Sequence, residues 1–238
     1  MSNFIIHKAE QRGHAQHGWL DTFHSFSFAN YHDPEKVHFG VLRVLNDDTI
    51  EGGMGFGMHP HDNMEIITIP IFGGVHHKDS MGNSGIINTG DVQVMSAGTG
   101  IYHSEENANA ELDLKLFQIW IFPNKKNVTP RYDQKTFEVK DRINKFQQIV
   151  SPMGETDGLN IHQDAWFSLA NFNKDFETTY QIKKPGNGVY VFVIEGSATI
   201  NNQKLNKRDA IGISAIQSIS IKADTDAQIL IMDIPMAI

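Results

Sequence analysis

The sequence predicts an all-β protein made of two closed β-barrel or sandwich units. Three observations carry this. Short apolar runs rich in β-branched and aromatic residues recur along the 238-residue chain, bounded by Gly, Asn and Asp. No sustained helical period interrupts them. A weak internal repeat pairs IITIPIFGGVHHKDS…NTGDVQVM with VYVFVIEGSATINNQ…NKRDAIGI, each reading strand, glycine, strand, turn, Asp, strand.

In chain order, the first half predicts strands over Phe39 to Leu45, Glu65 to Phe72, Asp91 to Met95 and Leu114 to Phe122. A turn-rich stretch from Pro123 to Pro130 follows. The second half predicts strands over Trp166 to Ala170, Val189 to Ile194, Ala198 to Ile200, Ala210 to Ile213, Ser218 to Ile221 and Ile229 to Ile234. Asn201-Asn202 predicts a tight hairpin, because Asn tolerates positive φ. So many short strands must hide their edges, which closure into barrels achieves.

Charge and composition exclude several functions. Lys and Arg number 20 against 28 Asp and Glu, a net charge of −8, so no overall basic field attracts nucleic acid or anionic lipid. Cysteine is absent, which removes disulfides, thiolate ligands and thiol nucleophiles and favours the cytosol. The N-terminus lacks an apolar signal core, and the longest apolar runs have strand length rather than membrane length. No glycine-rich phosphate loop opens a helix.

Histidine is the unusual residue: of 12, all but His162 fall within the first 103 positions. In GGMGFGMHPHDNMEIITI, His59 and His61 stand two apart, so on an extended chain they share a face. In GTGIYHSEEN, His103 and Glu105 repeat that spacing. Three neutral imidazoles and a carboxylate form a borderline N/O set that suits Fe(II), Mn, Co, Ni, Cu or Zn better than Ca or Mg. Four such ligands leave two positions open on an octahedral ion. Glu65 is the competing carboxylate, but it lies four residues beyond His61, about 13 Å along a straight strand. Glu105 is therefore the expected fourth ligand.

Other candidates receive structural readings. Adjacent residues on a strand face opposite ways, so His76-His77 predicts a solvated hairpin. His14, His17, His24, His32 and His38 share no spacing and are expected away from the site. Phe23, Phe26 and Phe28 predict core packing, with the pocket mouth as the alternative for Phe26 and Phe28, which sit at strand spacing; Lys125-Lys126 predicts an exposed loop, and Asp47-Asp48 a turn.

The segments GWLDTFHSFSFANYHDP, FGVLRVLNDD, HPHDNMEIITI, HKDSMGNSG, GDVQVMSAGTGIYHSEEN and LFQIWIFP cover nearly all of residues 18 to 123, and they resemble the pirin family of bicupins, especially the bacterial pirin-like quercetinases. PRYDQ and HQDAWFSLA carry a thinner resemblance into the second half. The chain departs from the general cupin pattern at Ser96, where proline is usual, and by seven residues rather than six between Glu65 and Gly73.

The resemblance implies two cupin barrels, jelly-roll-like and face to face: a metal-binding domain over residues 1–124 and a metal-free domain over 125–238. It implies one divalent ion, iron in the best-known members, on His59, His61, His103 and Glu105. The implied activity opens a flavonol such as quercetin with O2, releasing carbon monoxide and leaving a depside. Glu105 would be the catalytic base for the flavonol 3-hydroxyl. The expected protein is a cytoplasmic monomer without nucleic-acid or membrane partners. A second reading, also drawn from the family, is an iron-binding regulator of a transcription factor or metabolic enzyme.

One metal ion per chain is the expected stoichiometry, because the second half holds a single histidine, His162. Elemental analysis checks this; a value near two in fully loaded protein would contradict it.

Overall fold

The computed structural model describes residues 3–238, in which strands and two short 3-10 turns are the regular elements. Each half pairs a seven-stranded sheet with a four-stranded one. The first half's large sheet runs, in spatial order, Arg131–Thr136, Asp91–Ser96, Glu65–Phe72, Leu114–Ile121, Leu42–Ile50, Leu20–His24 and Gly13–Gln16. Its small sheet runs Gly55–His61, Ile101–Asn107, Gly74–Asp79 and Ser84–Asn88. The second half repeats the plan, with Asn187–Glu195 and Ala227–Pro235 central in the large sheet and Ser218–Ala223 and Ser197–Ile200 central in the small one.

The two large sheets pack against each other, and this explains the uninterrupted apolar runs. On Asn187–Glu195, Tyr190, Phe192 and Ile194 face the other half, whereas Val189, Val191 and Val193 face their own barrel. A strand buried on both sides has no polar alternate positions. Between the sheets, Phe117 meets Phe192 with ring centroids 5.3 Å apart, and Tyr190 contacts Phe26 and Phe39 at 5.6 Å each.

The repeat seen in the sequence is structural. Gly73 and Gly196, at φ +86° and +77°, join corresponding strands at a conformation that only glycine adopts cheaply. Asp91 accepts from the backbone N–H of Asn88, and Asp209 accepts from that of Asn206, at 2.9 Å in both copies. Asn201 and Asn202, at φ +45° and +64°, form the expected two-residue hairpin between Ile200 and Gln203.

The interiors differ. The second barrel is filled by apolar side chains from both its sheets. The first has a small apolar floor of Leu20, Ile50, Val75, Ile87, Leu114 and Leu116, and above it buried polar residues including Thr22, His24, Asn46, Asp48, Thr68 and Gln118.

Two strands cross between halves. Asn3–His7 is the edge of the second half's large sheet, paired with Ala210–Ser214, and Arg131–Thr136 is the edge of the first half's, paired with Asp91–Ser96. His7 Nδ1 lies 2.8 Å from the Tyr190 hydroxyl, which anchors the crossing strand in the inter-sheet core. Asp47-Asp48, expected in a turn, sits instead within Leu42–Ile50. Its alternating faces give each carboxylate a separate role: Asp47, half-buried, pairs with Arg12 of its own half at 3.1 Å and with Arg208 across the joint at 2.9 Å, while Asp48 enters the first barrel.

Phe117 is fully buried at this joint, so Phe117→Ala should lower unfolding stability by about 3–5 kcal/mol. Denaturant titration checks it; a loss below about 1 kcal/mol would show that sheet-on-sheet packing is not what holds the halves together.

Candidate metal centre and cavity

The centre is built on two neighbouring antiparallel strands, Gly55–His61 and Ile101–Asn107, in which His103 lies opposite His59 and Ile101 opposite His61. Alternation turns His59 and His61 inward and leaves Met58 outward, 57% exposed. The register slips between His103 and Glu105, a bulge of the kind that re-aims side chains at active sites. Gly55 allows the strands to approach closely here, since a Cβ on it would lie 2.3 Å from the Glu105 carbonyl oxygen.

The three imidazoles converge. Their ring centroids are 4.4 Å apart for His59–His103 and 4.9 Å for each of the other pairs, with one nitrogen from each within 4.8 Å of the others. His59 Nδ1 lies 2.8 Å from the carbonyl oxygen of Gly57 and so must carry the proton, which leaves Nε2 as a lone-pair donor. His103 is buried, and neither of its ring nitrogens has a hydrogen-bond partner among the described residues. Buried unpaired nitrogens are costly, and a cation held by the three rings would remove that cost for the one His103 nitrogen that faces it. Burial, reinforced by the neighbouring imidazoles, pushes His61 down to about 4 and His103 down to about 3, so both are neutral and competent as ligands near pH 7.

Glu105 is buried beside the trio but outside its tight group. Gln118 Nε2 donates to its Oε2 at 2.7 Å, and the Thr68 hydroxyl donates to its Oε1 at 3.1 Å. Glu65 is directed elsewhere: the Ser96 hydroxyl donates to its Oε2 at 2.7 Å, and His162 Nδ1 from the second half lies 3.4 Å from its Oε1. Burial raises its carboxyl to about 7.

His59, His61 and Glu105 border a cavity of about 920 Å³. Trp19, Phe56, Phe28 and Trp120 provide aromatic wall, with Phe28 and Trp120 edge to face at 5.3 Å and His61 against Trp120 at 4.9 Å. Several lining residues run against expectation. His14, His17 and His24 all border the cavity, and Phe28 does so while Phe26 enters the inter-sheet core. His77 is not solvated but fully buried, with Nε2 3.2 Å from Asp79 Oδ2 and its ring stacked on Tyr132 at 4.7 Å. Adjacent histidines indeed face opposite ways; the inward one simply enters the barrel, 5.5 Å from His103. Thr68 and Gln118, which hold Glu105, left no sequence signal beyond polar residues inside apolar strands.

Residues 6–121 match the pirin family model, and residues 148–234 match that of the quercetinase C-terminal cupin domain. The chain is 46% identical to a quercetin 2,3-dioxygenase of Escherichia coli K12 over 230 residues, covering 97% of this chain and 98% of that one. The chain belongs to the pirin family. A pirin-like protein of Caulobacter vibrioides is 41% identical to this pirin over 225 residues, covering 94% and 96% of the two chains. The crystal structure of the Escherichia coli pirin YhhW in complex with nickel(II) superposes on it with a TM-score of 0.93 at 44% identity, covering 98% of this chain and 99% of that one.

The lowered values of His61 and His103 set the direction of a pH effect. An unfolded imidazole takes up its proton near 6.5, and the folded ones only near 4 and 3. The unfolded chain therefore binds more protons as pH falls below 6.5, and these residues make the metal-free protein less stable over that window. Glu65 and Asp48, both raised to about 7, act in the opposite direction. Unfolding of metal-free wild type and of the His61→Gln/His103→Gln double variant from pH 7 to 4 isolates the imidazole contribution. The variant should lose less stability on acidification; parallel curves would contradict neutral burial.

Proposed function

We propose that this pirin is a metal-dependent dioxygenase that opens a flavonol such as quercetin with O2, using one divalent ion, Fe(II) in the cell, on His59, His61, His103 and Glu105. The observation that carries the proposal is the meeting of three imidazoles, with both His103 nitrogens buried and unpartnered, beside an aromatic-walled cavity. The naming of the Escherichia coli relative supports the reaction, and the nickel complex of YhhW supports a divalent ion. Among the described residues no helix is long and apolar enough to cross a membrane. The lack of cysteine fits work in the cytoplasm.

When bound, a divalent ion supplies Lewis-acid polarisation of a chelating hydroxyl and lowers its pKa. The aromatic walls take up the flat rings of the substrate and exclude water around them. Glu105 accepts the proton of the flavonol 3-hydroxyl on Oε1. The Thr68 hydroxyl has one proton and two acceptors in reach, Glu105 Oε1 at 3.1 Å and Gln118 Oε1 at 3.2 Å. Once Glu105 is protonated, that hydroxyl turns to Gln118 and accepts from the new carboxyl O–H, while Gln118 Nε2 keeps hold of Oε2. The proton is therefore stored without leaving a buried group unpaired.

Anaerobic metal loading followed by O2 uptake and carbon monoxide release with quercetin tests the proposal; loaded protein that consumes no O2 with any flavonol would overturn it. Glu105→Gln should keep measurable metal and lose about 10²–10⁴-fold in turnover, the usual worth of a general base. Glu65→Gln should lose far less of either, and a larger metal loss from Glu65→Gln would reverse the choice of carboxylate.

A further inference from the structure

Away from the imidazole trio, the cavity has a second polar group, contributed by the sheet rather than by the metal-bearing strands. His24, Asn46, Gln118 and Thr68 form one row across four neighbouring strands, because His24 pairs with Asn46, Asn46 with Gln118 and Gln118 with Thr68. Directly opposed residues share a face, so the whole row points into the barrel. Thr68 and Gln118 are occupied by Glu105. The other end of the row is not.

Asn46 Oδ1 accepts at 2.8 Å from His24 Nδ1, which fixes the ring proton there and leaves Nε2 as a free acceptor. Asn46 Nδ2 makes no hydrogen bond among the described residues, and its two N–H groups remain to donate. Asp48, two residues along the same strand face, receives the Thr22 hydroxyl on Oδ1, and its Oδ2 makes no hydrogen bond among the described residues. All three residues line the cavity, yet each is at most 4% exposed. Polar groups so sheltered from water, with unused hydrogen-bonding capacity, discriminate strongly between ligands that satisfy them and ligands that do not.

Their placement sets what they can read. Strands are spaced about 4.8 Å apart, so Asn46 lies about one strand and His24 about 10 Å from Gln118, the residue that holds Glu105. A ligand chelated at the trio and lying along the row between the aromatic walls brings a second ring to this end. We propose that His24, Asn46 and Asp48 form a subsite that recognises hydroxyl groups on the substrate ring remote from the chelating one. Two acceptors and a donor match a vicinal diol on that ring. The inference rests on the flavonol reading but adds a preference: catechol-bearing flavonols over those with an unsubstituted remote ring.

The test compares galangin, kaempferol and quercetin, which share the chelating hydroxyl and carry none, one and two hydroxyls on the remote ring. Dissociation constants are measured under argon on nickel-loaded and metal-free protein, with turnover of the metal-loaded enzyme in air as a separate readout. Wild type should bind quercetin about ten- to hundredfold more tightly than galangin, the worth of one or two buried hydrogen bonds. Asp48→Asn, which preserves shape, and His24→Phe should each lose most of that ratio through weaker quercetin binding, with galangin changed little. Graded binding without turnover would overturn the dioxygenase reading and leave the subsite standing. A flat series in wild type, failure to bind any of the three, or equal losses for galangin and quercetin in both variants would overturn the subsite.

Discussion

Packing of the two seven-stranded sheets against each other is the constraint on which the rest of the molecule depends. It buries Phe117, Phe192, Tyr190, Ile67, Leu230 and their neighbours in a core that neither half could form alone. A barrel that owed its stability to its own interior would have to fill that interior with apolar side chains, as the second half does. The first half is relieved of that requirement by the shared core. It keeps a thin apolar floor and gives the remaining interior to histidine, carboxylate, amide and hydroxyl groups around an open cavity.

The internal repeat makes this division visible position by position. Thr68, His77 and Gln93 of the first copy correspond to Val191, Ile200 and Ile211 of the second, all three in the second barrel's apolar core. The backbone devices are kept in both copies: the positive-φ glycine between strands, and the aspartate that accepts a backbone N–H at the next turn. The same fold thus serves once as a solid support and once as a vessel. In the vessel, burial keeps His61 and His103 neutral, the state in which imidazole binds metal, and leaves His103 without a hydrogen-bond partner among the described residues.

Much of this was legible in the sequence because it depends on local period. The all-β class followed from short β-branched runs, and the i, i+2 spacing of His59 and His61 followed the pleat that turns both inward. Features that depend on distant partners were not legible. Nothing in NFIIH indicates that Asn3–His7 pairs with Ala210–Ser214 some 200 positions away, and nothing in RYDQKT shows that it closes the first half's sheet. Asp47-Asp48 reads as a turn because a polar pair usually marks one; in the fold its strand meets arginines on one face and a cavity on the other. Two adjacent histidines cannot share a site, but one of them can enter it, and His77 does.

The central claim is that three imidazoles of the first barrel hold the ion. X-ray absorption spectroscopy of the nickel-loaded protein tests it most directly, because multiple scattering from imidazole rings reports how many are bound. Three imidazoles with oxygen ligands completing the shell are expected, falling to two in His103→Ala. A wild-type shell with fewer than three, or one unchanged by His103→Ala, would contradict it.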